Sequence, residues 1–192
     1  MEKVVVLAAD FGLRRPAIAI LTNVENGKAL IERMFVIDTK KNTKMCRSQI
    51  LSNINTIFRE QIIPTFVDIV KQQNAKGIVT SVAVRESGFT RFHTETQALY
   101  AVMGITDMAL YETLQLEWYN IAPLSIKKLV TGSGKATKAE VASSLNQYLV
   151  LPIENYKFEG DDETDAVGVG LAWMIQRGYV RRERTETDAL GN

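Results

Sequence analysis

The sequence predicts an α/β fold built on one mixed five-stranded sheet, an antiparallel meander followed by parallel strands, with helices on both faces. Three observations carry this reading. Apolar runs of strand length open the chain, separated by short turns. Apolar residues then recur at helical spacing. After the third strand, strands and helices alternate, an order that places helices on both faces of a sheet.

Residues 3–9 read as a buried strand, 16–24 as a second after the turn FGLRRP, and 29–38 as a third after the turn ENGK. From Thr43 to Gln73 the spacing of Ile50, Ile54, Ile57, Phe58, Ile62, Phe66, Ile69 and Val70 is helical, with Pro64 as a kink or a break. GIVTSVAVRE, opened by Gly77 and closed by Glu86, is the fourth strand, and HTETQALYAVMGITDMALYETL is a helix with an Ala, Val, Ile and Met face. LQLEWYNIAP is the fifth strand. PLSIKKLV forms a short helix started by Pro123, TGSG a turn, KATKAEVASSLNQYL a helix, and DDETDAVGVGLAWMIQRG a last helix ending before Gly178. Residues 1–178 make one domain on this reading, and the charged segment 179–192, without apolar periodicity, is expected to be disordered.

A chain of 192 residues, 46% of them hydrophobic, can fill one core. No stretch approaches the roughly 18 apolar residues of a membrane span and no signal-peptide pattern opens the chain, so a cytoplasmic protein without membrane contact is expected. One cysteine, Cys46, and one histidine, His93, exclude an internal disulfide and a Cys/His zinc site. Any metal must be held by carboxylates. The formal net charge of +1 is uninformative about nucleic acid, because binding depends on where basic residues cluster.

The acids are better placed than their number suggests. Asp10 ends the first strand, Glu86 ends the fourth, and Asp162 and Asp165 lie at the start of the last helix. An ionised carboxylate at the tip of a core strand calls for a positive partner, which an arginine, a backbone turn or a metal can supply. Asp162 and Asp165, at i and i+3, share one helix face, while Glu163 points about 100° away. Asp161 and Asp165, at i and i+4, also share a face, so spacing leaves that choice open; Asp161 reads equally as the N-cap. Four converging carboxylates raise one another's pKa unless cations neutralise them, and hard oxygen ligands suit magnesium or manganese. Two such ions, about 3.5–4 Å apart, activate a water and stabilise the leaving oxygen of a phosphodiester.

The element order is that of the ribonuclease H-like fold, and over roughly residues 3–177 the chain resembles the RuvC-type Holliday-junction resolvases. The motifs that carry the resemblance are LAADFG with Asp10, VAVRESGF with Glu86, IKKLVTGSGKATKAEV, and DDETDAVGVGLAW with Asp162 and Asp165. The resemblance implies a homodimeric nuclease of recombination and repair that cleaves opposed strands of four-way DNA junctions. It implies Asp10, Glu86, Asp162 and Asp165 as catalytic residues and ligands of two magnesium ions, replaceable by manganese. Lys127 and Lys138 fall in the places of the family's phosphate-contacting lysines, Gly132 and Gly134 where the backbone approaches the strand, and Phe89 where an aromatic stacks on bases at the opened junction centre. Arg91 is assigned to the same DNA-binding loop. The apolar helix around Ala98 to Ala109 is the expected dimer interface.

Phe11 stands where the family usually has proline, extra residues precede the fourth strand, and Gly168 replaces a polar side chain of other members. These departures suggest a divergent, phage-type member, acting in the host cytoplasm if phage-encoded. A broader nuclease of forks, flaps and other branched DNA is the alternative function. An actin-like ATPase or kinase is a remote one, since the chain supplies no second phosphate loop. TGSGKAT is not a P-loop, because Leu129 occupies the place of the first glycine and Ala136 that of the magnesium-binding hydroxyl.

Overall fold

The computed structural model describes residues 2–39, 44–88, 93–156, 158 and 160–182. A five-stranded sheet is formed by β1 (Lys3–Asp10), β2 (Ala17–Asn23), β3 (Ala29–Val36), β4 (Val79–Glu86) and β5 (Trp118–Ile121), in the order β3-β2-β1-β4-β5. The first three strands pair antiparallel, whereas β4 and β5 join β1 in parallel. This is the mixed sheet the sequence predicts.

The alternation of side chains along β1 and β2 divides the interior into two cores. Val4, Val6, Ala8, Ala17, Ala19 and Leu21 face α4 (Pro123–Thr131), α5 (Lys138–Leu145) and α6 (Asp161–Gln176). Val5, Leu7, Ala9, Ile18 and Ile20 face α1 (Arg47–Ile57), α2 (Ile63–Asn74) and α3 (His93–Leu114). Helices cover both faces because both faces of β1 and β2 are apolar.

The break expected at Pro64 takes the form of one widened turn just before the proline, within a helical run that continues. A π-helical turn, Phe58–Ile62, joins α1 to α2, and the Ile63 amide donates to the Phe58 carbonyl. The widened turn accommodates the N–H that proline lacks, so Ile54, Phe58, Ile62, Phe66 and Ile69 all stay in one core. The fifth strand is shorter than LQLEWYNIAP implies. Leu114 belongs to α3, and Gln115, at φ 56°, turns the chain before Trp118. The fifth helix likewise begins at Lys138 and not Lys135, because Thr137 caps it by accepting from the Glu140 amide while the Glu140 carboxylate accepts from Thr137 N–H. Packing runs past 178: Val180 is buried, the Tyr179 ring stacks on Trp173, and the Arg181 amide donates to the Gly27 carbonyl.

Helix α6 lies tight against the sheet because its contact residues are small. A Cβ on Gly170 would stand 2.6 Å from Leu21 Cδ1 and 2.9 Å from Ala8 Cβ, whereas one on Gly168 would meet Ile126 at 3.8 Å. Gly170→Ala should therefore destabilise the protein by about 1–3 kcal/mol through overpacking. Gly168→Ala should be neutral or stabilising by up to about 1 kcal/mol through helix propensity. Urea melts of the two variants against wild type check this, and equal stabilities would remove the close helix–sheet contact.

Candidate functional site

Register brings the strand-end acids together. Ala9 of β1 lies beside Arg85 of parallel β4, so Asp10 and Glu86 follow side by side. Neighbours in a parallel pair share a face, and both carboxylates emerge on the α4–α6 side, the side of Ala8 and Val84. There they line a hollow with Lys127, Lys138, Asp165 and Gly168. Asp10 also borders a second hollow, shared with Phe11, Gly12, Arg14, Arg15 and Asp162. The four acids singled out in the sequence thus surround two adjoining spaces with Asp10 common to both.

Phe11, in the position where proline was the expectation, is buried and packs edge-to-face on Trp118 with ring centroids 5.2 Å apart. It closes the α1–α3 core immediately behind Asp10. On that face Arg85 is nearly buried, forms a bidentate pair with Asp107 of α3, donates from Nε to Asn120 Oδ1 at 2.8 Å and lies over the Trp118 ring. These bonds tie the end of β4, and hence Glu86, to both α3 and β5.

Electrostatics at the strand ends are unfavourable to charge. Burial, followed by the Glu86, Asp165 and Asp162 carboxylates, pushes Asp10 up from 3.8 to about 7, against the opposing pull of Lys138. Glu86 is raised by burial and by Asp165, with Lys138 and Lys127 opposing. Lys138 is itself raised, first by its hydrogen bond to Asp165, at 2.8 Å from Nζ to Oδ2, and despite some desolvation. Arg15 reaches Asp162 Oδ2 at 3.3 Å and Glu163 Oε1 at 3.2 Å.

Of the residues expected to contact DNA, Lys127 and Lys138 both border the acid-lined hollow. Lys138 stands at the site, paired to Asp165. Lys127 donates to the Ala136 carbonyl at 2.8 Å, bracing the turn between α4 and α5. Gly132 closes α4 at φ 85°, a left-handed conformation that favours glycine, and a Cβ on Gly134 would stand 3.4 Å from the Leu124 carbonyl oxygen. Phe89 and Arg91 lie outside the described residues. Asp161 is the first residue of α6, exposed, with Gly160 as its N-cap. Arg15 and buried Glu163 had no place among the candidates. Their signal was the pair of arginines after Asp10 and an acid one residue beyond Asp162, turned into the fold.

Asp10, Glu86, Asp162 and Asp165 are hard-oxygen donors, the right chemistry for magnesium or manganese, and their mutual repulsion favours a cation among them. Among the described residues no three acidic, histidine or cysteine side chains converge closely enough to hold one ion as they stand. Asp162 and Asp165 are turned to Arg15 and Lys138 instead.

Because the folded-state pKa of Asp10 lies above its unfolded value, ionising it costs stability progressively as pH rises from 3.8 to about 7, and the cost is complete above that. Asp10→Asn keeps the shape without the charge. In chelator it should exceed wild type in stability by roughly 2–4 kcal/mol near pH 8, at about 1.4 kcal/mol per tenfold change in proton affinity. The advantage should vanish near pH 4. Denaturant melts at the two pH values check this, and equal stability at the higher one would contradict the crowding.

No family model matches the chain. In sequence it is 39% identical over 70 residues to the crossover junction endodeoxyribonuclease RuvC of Cytophaga hutchinsonii, a match covering 36% of this chain and 34% of that protein. The match thus spans about a third of that relative's length. In backbone it superposes on T. thermophilus RuvC in complex with Holliday junction substrate, with a TM-score of 0.71 and 17% identity over 91% of this chain and 94% of the other. The separate Thermus thermophilus RuvC structure gives 0.68 and 17% over 93% and 99%. The yeast mitochondrial Holliday junction resolvase Ydc2 gives 0.59 and 14% over 91% and 79%. The chain has the ribonuclease H-like fold of RuvC, and its resemblance to the RuvC-type resolvases holds in local sequence as well as in backbone.

Proposed function

We propose that the chain is a divalent-metal-dependent endonuclease that cleaves four-way DNA junctions. The observation that carries this reading is the meeting of Asp10, Glu86 and Asp165 around one hollow on a RuvC fold. It is supported by the sequence relative, a crossover junction endodeoxyribonuclease, and by the RuvC structure that holds a Holliday junction substrate.

Two magnesium ions, with manganese able to replace them, held by Asp10, Glu86, Asp162 and Asp165 would supply a polarised water and countercharge for the leaving oxygen. The chain's own part is to fix the carboxylates and to seat the DNA. Asp10 and Glu86 are fixed by sheet hydrogen bonding and by the Arg85 anchor. Lys138, 62% exposed in its side chain, can leave Asp165 for a backbone phosphate. Lys127 holds the α4–α5 turn so that Gly132 and Gly134 face the strand. Phe89 and Arg91, on the connection from β4 to α3, would meet bases and phosphates of the opened junction. Among the described residues no helix is long and apolar enough to cross a membrane.

Cutting opposed strands needs two active sites, which a second copy supplies. Tyr100, Met108 and Tyr111 on α3 are each more than half exposed although α3's other face is buried in the core, and this apolar outer face is the surface proposed to dock the copy.

Magnesium-dependent cleavage of a synthetic four-way junction in preference to linear duplex is the deciding measurement. Equal cleavage of forks and flaps would favour the broader nuclease, and no cleavage of any branched DNA would overturn the proposal. Asp165→Asn should abolish turnover while junction binding persists or tightens. Lys138→Ala should lower the log–log salt slope of binding by about 0.9, the value of one phosphate contact.

A further inference from the structure

The two helix acids are not held alike. Asp165 is paired to Lys138, whose side chain is 62% exposed and whose charge is screened by solvent. Asp162 is paired to Arg15, whose side chain is only 14% exposed. Arg15 is anchored from behind, since Nη2 reaches Oε1 of Glu163, a side chain only 4% exposed, at 3.2 Å. A buried carboxylate keeps its cation, because separating the two strands a charge out of water. The planar guanidinium spans both acids at once, which a lysine ammonium does less well. Gly160 completes the seat: a Cβ there would overlap Nη1 of Arg15.

We propose that Arg15 is a positioning residue that, fixed by Glu163 and admitted by Gly160, withholds Asp162 and makes the two cation positions unequal. The inference rests on the metal-site reading above. A divalent ion entering among Asp10, Glu86 and Asp165 displaces the exposed Lys138 from Asp165. A second ion, drawing on Asp162 and on Asp10 from the adjoining hollow, works against a positive charge that Glu163 keeps in place. The first position is therefore the tighter one, and Arg15 sets the metal concentration at which the second fills.

Calorimetric titration of metal-stripped protein with Mn²⁺ tests this, with circular dichroism melts alongside. Wild type should show a tighter and a weaker binding event, and Asp162→Asn should lose the weaker. Arg15→Met combined with Glu163→Gln removes both buried charges together. It should tighten the weaker event by about tenfold, the lower end of the effect of one nearby charge, and leave the tighter event nearly unchanged. Gly160→Ala displaces the flexible end of Arg15 without deleting a charge and should shift the weaker event in the same direction, which keeps the test decisive if the double variant fails to fold. A weaker event that is unchanged or loosened in the folded variants overturns the role of Arg15 while leaving the metal site intact. Wild type that takes up no Mn²⁺ overturns both the inference and the metal-dependent reading beneath it.

Discussion

Parallel pairing of β1 with β4 imposes the condition to which the rest of the site responds. Once Ala9 is registered against Arg85, Asp10 and Glu86 are carried to the same sheet edge and the same face, with no freedom to separate. Two partly buried acids then share a low-dielectric corner, and α6 adds Asp162 and Asp165. Burial of these groups, and then their mutual repulsion, works against folding, as the raised Asp10 shows. Lys138, Lys127 and Arg15 answer it from three different elements, α5, α4 and the β1–β2 turn.

The opposite face of the sheet supplies the rigidity that such an arrangement needs. Arg85 sits one residue before Glu86 and points the other way, into bonds with Asp107 and Asn120 and over Trp118. Phe11 sits one residue after Asp10 and packs on the same indole. Each acid on the crowded side is thus adjacent in sequence to a residue locked into the apolar side. Strand alternation, which divides the interior into two cores, also divides the labour between holding and reacting.

Much of this was legible in the sequence where a short-range rule applied. Period-2 and period-3.6 patterns located the meander, α3 over His93–Leu114 and α6, and the strand-end acids marked one edge of the sheet. What escaped was set by packing between distant segments. The π turn before Pro64 depends on keeping Phe58 and Phe66 in a common core, and the late start of β5 at Trp118 follows from Gln115 adopting a positive φ. Arg15 and Glu163 were missed because their relation spans 148 positions in the chain, and because Glu163 leaves the helix about 100° from the face that spacing had drawn attention to. Lys127 also donates to the Ala136 carbonyl, a partner no spacing rule identifies.

The close seat of Gly170 on Ala8 and Leu21 acts as a fulcrum for the functional end of α6. At about 1.5 Å of rise per residue, Asp165 stands roughly 7.5 Å and Asp162 roughly 12 Å along the axis from that point. A rocking of the helix by about 10° would shift Asp162 by roughly 2 Å relative to Asp10 and Glu86 while hardly disturbing the contact about which it turns. The spacing of the acids is therefore governed in part by the bulk of residues on the floor of the sheet under Gly170, one turn or more of α6 away from Asp162 and Asp165. Changes there would retune the aperture of the site as a lever retunes its far end, and related proteins with different residues at these floor positions would differ in acid separation even with the same four carboxylates.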